Sequence, residues 1–152
     1  MTNQQIVNNQ DSVAAIVNQV AINVERDVDD FLGVYKLIAD SIRENINSVE
    51  ELKSVDFILV ENFYKNYQRQ GHNNTAVLTK PQDSINAFVL GNFERDFPII
   101  WEVSEIFADF YLEFLVLPVI QTINYDLFLE KSPRFTKILK NYVLVYDRKR
   151  GV

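Results

Sequence analysis

Cysteine is absent from this 152-residue chain, and with it go disulfide staples, thiolate metal ligation and thiol nucleophiles. Histidine, the usual side-chain base near neutral pH, occurs once. That residue, His72, sits in a Gly/Asn-rich stretch with no acidic neighbour in sequence and reads as an ordinary solvated loop residue. The four glycines stand singly at Gly33, Gly71, Gly91 and Gly151, so neither the Walker nor the dinucleotide phosphate-cradling pattern can be written. No Gly-x-Ser-x-Gly elbow occurs either. The expectation is a protein that is not an enzyme and carries no cofactor.

A long uncharged hydrophobic run is missing too. The most apolar stretch, Phe97 to Ile120, contains Glu102, Glu105, Asp109 and Glu113, and four carboxylates are too costly for a bilayer span. The first ten residues have neither a basic segment nor a continuous apolar one, so they do not read as a secretory signal. The expected setting is therefore cytoplasmic, and Asn73-Asn74-Thr75 is a coincidental glycosylation match.

What is present is ample core material: 47% hydrophobic residues, with eleven Phe, seven Tyr and one Trp, enough for one domain spanning residues 1–152. Residues 1–10 read as a polar N-terminal arm and 147–152 as a basic C-terminal tail. Apolar residues recur at Val13, Val17, Val20, Val24, Val28, Phe31, Tyr35, Ile38 and Ile42, a near-heptad stripe predicting one helix of about nine turns that begins after Asp11 and Ser12. Gly33 marks a bend or break in it. Ser48-Val49-Glu50-Glu51 has the form of a capping box for a second helix bearing Leu52, Leu59, Phe63 and Tyr67, although Val55 to Val60 is also β-compatible.

Asp83 and Ser84 cap a third predicted helix through Phe93. Pro98 suits the first turn of a fourth, whose apolar face is wide enough to predict the central, most enclosed helix, Phe97 to Leu117, with Trp101, Phe110 and Tyr111 as core. Pro118 and Ser132-Pro133 break the remaining helical spacing. The expected fold is all-α: an irregular bundle of five or six helices, with a minor β element near 75–79 or 142–146.

Charge is divided unevenly. Between 131 and 152 seven bases (Lys131, Arg134, Lys137, Lys140, Arg148, Lys149 and Arg150) face Asp147 alone, while the rest of the chain holds eight bases against twenty acids. The basic segment reads as a partner-binding surface. Its acidic counterparts are Asp27, Asp29 and Asp30 and the stripe Glu102, Glu105, Asp109 and Glu113, whose spacing of 3, 4 and 4 aligns them on one helix. A metal reading of that stripe is poor, because no Glu-x-x-His pair accompanies it. The expected function is non-catalytic association, with further copies of itself or a larger assembly as partner and head-to-tail contact between the two charges. Heavy use of Asn, Ile, Phe, Tyr and Lys fits an AT-rich genome, so a phage virion subunit is one concrete form. The alternatives are a monomeric regulator, immunity or antitoxin-like protein that covers one basic target, and nucleic-acid contact through the basic segment.

Overall fold

The computed structural model of the protein describes residues 3–23, 33–61, 84–95, 97–114 and 117–150. The described elements are, in chain order, α1 (Asn3–Val20), β1 (Ile22–Asn23), α2 (Gly33–Asn45), two 3₁₀ turns (Ile46–Ser48 and Glu50–Ser54), β2 (Val55–Glu61) and β3 (Ser84–Gly91). They continue with α3 (Phe97–Phe114), β4 (Leu117–Asn124), α4 (Tyr125–Glu130), α5 (Ser132–Leu139), β5 (Tyr142–Asp147) and a last 3₁₀ turn (Arg148–Arg150). The fold is mixed α/β, which corrects the all-α expectation: a five-stranded sheet in the order β1-β5-β2-β3-β4 stands where a helix was expected to form the centre.

The strands β2 and β3, which sequence periodicity assigned to helices, each carry a run of four consecutive apolar residues. In β3 the run Ala87-Phe88-Val89-Leu90 sends Phe88 and Leu90 to one face and Ala87 and Val89 to the other, and all four are buried. A strand covered on both faces has no polar alternate, so its sequence satisfies a period of 3.6 as well as a period of 2. The same holds for β2, where Phe57 and Leu59 face one layer and Ile58 and Val60 the other. Val55 to Val60 and Tyr142 to Tyr146 thus resolve as strands, whereas Thr75 to Thr79 lies outside the described residues.

Helices cover both faces. Ile38, Ile42 and Tyr35 of α2, with Ile99, Val103 and Phe107 of α3, pack on Ile58, Val60, Val89 and Val145. Val13 and Val17 of α1, Phe128 of α4 and Leu139 of α5 pack on Phe57, Leu59, Leu90 and Leu144 on the opposite side. The single long first helix is therefore corrected to two, α1 and α2, whose share of the apolar stripe is divided between the two faces; Val24, Val28 and Phe31 lie outside the described residues. Helix α3 caps one face and is not the enclosed centre. Pro118 falls in β4, an edge strand among the described residues, where a missing N–H is tolerated. On the α1 side Phe88 stacks on Tyr142 at 4.7 Å, Phe128 stacks on Phe135 at 5.1 Å, and Phe88 meets Phe135 edge-on at 6.2 Å, tying strands to α4 and α5.

Strands β1, β3, β4 and β5 run in one direction and β2 alone opposes them. The C-terminal ends of four strands and the start of β2 consequently share one rim. Two irregularities shape it. On β2, Val55 pairs with Gly91 and Phe57 with Leu90, so Asp56 is an extra residue; on β5, Leu144 pairs with Leu59 and Tyr146 with Ile58, so Val145 is another.

Gly91 permits the first of these. A Cβ there would overlap the Ser54 carbonyl oxygen and come within 2.9 Å of the Phe93 ring, so backbones meet at a distance only glycine allows. Gly91→Ala is expected to destabilise the fold by about 1–3 kcal/mol through overpacking, read as a lower urea midpoint; an unchanged midpoint would show that the rim can part freely.

Candidate functional site

The extra residue on β2 aims a carboxylate at the rim. Asp56 keeps only 15% of its side chain exposed, accepts a hydrogen bond from the Tyr125 hydroxyl at the start of α4, and lies 3.5 Å from Arg148 Nε. Arg148 in turn donates from Nε to the Val55 carbonyl at 2.7 Å and from its terminal nitrogen to the Leu52 carbonyl at 2.8 Å, and its guanidinium lies 5.9 Å from the centre of the Tyr146 ring. Asp147 beside it is buried and accepts the Lys149 amide at 3.1 Å.

Burial dominates the titration of this group. Asp56 is raised above the ordinary carboxylate value by desolvation and, less, by neighbouring Asp147, against the opposing pull of the Tyr125 hydroxyl, Arg148 and Lys149. Tyr125 is pushed far above its usual range, first by burial and then by its hydrogen bond to Asp56, so it holds its proton and acts as the donor. With Tyr125 fully buried and Asp56 and Arg148 only partly exposed, the cluster serves as a clasp joining β2, α4 and the end of β5.

The clasp changes the standing of the basic segment. Arg148 is spent inside the molecule, and Lys149 Nζ reaches Asp11 of α1 at 2.7 Å, so part of the expected basic tail docks on its own chain. Lys131, Arg134, Lys137 and Lys140 stay exposed along the outer side of α5, while Phe135, Ile138 and Leu139 turn inward. Arg150 sits in the last 3₁₀ turn. Of the acidic candidates, Glu105 is exposed and Glu102 half-buried on α3; the Asp109 and Glu113 side chains, and Asp27, Asp29, Asp30 and His72 altogether, lie outside the described residues. The structure thus places the α3 carboxylates and the α5 cations on opposite faces of the sheet.

Two features escaped sequence reasoning. Trp101, expected in the core, is 57% exposed and stacks on Phe97, itself 74% exposed, with ring centres 6.5 Å apart. Neither position breaks the apolar pattern of α3, so the sequence held no signal that these two faced outward. The second is a concavity of about 650 Å³ lined by Asn92, Phe93, Glu94, Asn124, Asp126, Leu127 and Glu130. It lies where the chain leaves β3 for α3 on one face and leaves the parallel neighbour β4 for α4 on the other, the switch point at which open α/β sheets bind ligands. Its walls offer three carboxylates and no cationic side chain, which repels phosphate. The Phe93 amide donates to Asn124 Oδ1 at 2.6 Å, and Asn9 Nδ2 of α1 donates to Asp126 at 3.1 Å.

Among the described residues no group of three or more potential ligands could hold a metal ion, and no helix is long and apolar enough to cross a membrane. No protein family, no curated protein and no solved structure matches the chain.

Arg148→Ala is expected to lower stability by about 2–4 kcal/mol, since it removes the guanidinium bonds to the Val55 and Leu52 carbonyls and leaves the desolvated Asp56 without its cation; Lys149→Ala should leave the urea midpoint unchanged. Equal effects from both would sink the clasp. A carboxyl held above its unfolded value of 3.8 binds its proton more tightly in the native state. Protonated Asp56 therefore contributes stability fully below pH 3.8, and that contribution is lost as pH rises through the native value. Asp56→Asn does not titrate there, so the stability advantage of wild type over this variant should shrink between about pH 4 and pH 7; an advantage that grows over that window contradicts the assignment.

Proposed function

We propose that this protein is a non-catalytic association subunit whose copies join head to tail, the basic outer side of α5 on one copy meeting the acidic outer side of α3 on the next. The observation that carries this reading is the placement of two helices of opposite charge: Glu102 and Glu105 lie on α3 against one face of the sheet, and Lys131, Arg134, Lys137 and Lys140 lie on or beside α5 against the other. Contact between two different surfaces of identical subunits is heterologous, and it produces a ring where the rotation closes and a filament where it does not. A cytoplasmic assembly or a virion component would use such a contact. The use of Arg148 inside the molecule and the pairing of surface Lys149 with Asp11 support a protein partner over nucleic acid, because both reduce the positive charge a polyanion would meet.

Light scattering over a concentration series tests the reading, with mass rising with concentration and falling with added salt. The paired change Arg134→Glu with Lys137→Glu should suppress association, as should Glu102→Lys with Glu105→Lys. A chain carrying all four substitutions restores opposite charge across the contact and should regain association. A protein that stays monomeric at every concentration, or a four-fold variant no better than its parents, would defeat the proposal.

A further inference from the structure

On α3 the residues Phe97, Trp101 and Glu105 follow one another at intervals of four, so they form a single outward stripe opposite the buried Ile99, Val103, Ile106 and Phe107. Among the described residues these two large stacked rings stand exposed beside Glu105, on the side of α3 away from its buried face. We infer that Phe97 and Trp101 are the apolar anchor of the head-to-tail contact and that its occupant is the α5 ridge of a second copy, with Arg134 laid over the Trp101 ring and Lys137 reaching Glu105. This inference rests on the association proposed above and specifies its centre.

Charge and dimension both favour that occupant. Trp101 and Glu105 are about 6 Å apart along α3 at the helical rise, and Arg134 and Lys137, one turn apart on α5, about 4.5 Å. The ridge consists of exposed cations with long alkyl stems, which can cover aromatic surface while their charged ends reach carboxylates. A guanidinium over an indole face adds cation–π attraction, strengthened when water leaves the contact. Acidic neighbours alone would attract any cation; the stacked rings demand a partner that brings apolar stems and positive charge together, and α5 has both.

The chain contains one tryptophan, so its fluorescence reports on Trp101 alone. Emission should move to shorter wavelength, and acrylamide quenching should weaken, over the same concentrations at which light scattering records growth. Phe97→Ala and Trp101→Ala should each raise the concentration needed for association by roughly tenfold or more, as truncation at the centre of an interface does. Their circular dichroism spectra and urea midpoints should stay those of the parent, because both rings are exposed. Assembly that proceeds with unchanged Trp101 emission, and equally well in both variants, would overturn this inference while leaving head-to-tail association intact. A protein monomeric throughout would remove both.

Discussion

Burial of the central strands on both faces is the constraint from which the rest of this molecule follows. Strands β5, β2 and β3 carry apolar side chains at nearly every position, so each face of the sheet must be covered by helices. Neither layer suffices without the other: leaving one face open would expose Phe57, Leu59, Leu90 and Leu144, or Ile58, Val60, Val89 and Val145. The single antiparallel strand, β2, sits in the middle of four parallel ones, which directs four strand ends to one rim. There the chain must satisfy the irregular backbone around Asp56, and it does so with a side chain from the far end of the sequence, Arg148, donating to the Val55 and Leu52 carbonyls. The end of β5 is thereby held across the start of β2.

That arrangement divides the basic segment into an inner and an outer part. Arg148 lies among carbonyls and a desolvated carboxylate, where it ties the Val55 and Leu52 carbonyls to the end of β5. The four cations on or beside α5 meet water, and their inward neighbours Phe135 and Ile138 anchor the helix to the sheet. Composition counts all seven as one block, but only the fold separates those that stabilise from those that remain available to a partner.

Much of the local punctuation was legible from residues. Pro98 in the first turn of α3 and Pro133 in the first turn of α5 mark helix starts because first-turn amides have no intrahelical partner. The β-compatible runs Val55 to Val60 and Tyr142 to Tyr146 are strands, and α3 is the long helix its apolar content predicted, though it ends at Phe114. The sheet itself was hidden, because β2 and β3 carry the two-sided apolar runs shared by enclosed strands and enclosed helix segments, which period alone does not separate, while the apolar residues of β4 also fit helical spacing. The stripe from Val13 to Ile42 misled for a different reason: its spacing continues through residues that belong to helices on opposite faces, and periodicity carries no record of which face a helix serves. Exposure of Trp101 was illegible on the same ground, since an outward aromatic on α3 looks in sequence like one more member of a wide apolar face. The Asp56 clasp depends on residues 69 and 92 positions away in the chain, and nothing in their local sequence pairs them.

The layering also restricts how copies can meet. An isologous dimer would need the acidic and basic surfaces to face the same partner across one two-fold axis, each engaging its opposite. Here α3 and α5 are separated by the full thickness of the sheet, so a single neighbour cannot engage both at once. Each contact therefore leaves one acidic and one basic surface unsatisfied at the two ends of the pair, and the same attraction that joined two copies remains to recruit a third. Growth stops only where the rotation between successive copies brings the last basic ridge back to the first acidic stripe. In the proposed head-to-tail association the number of copies would be set by the angle between α3 and α5 across the sheet and not by the strength of the contact, so weakening the charges would change how much assembles without changing the size of a closed ring.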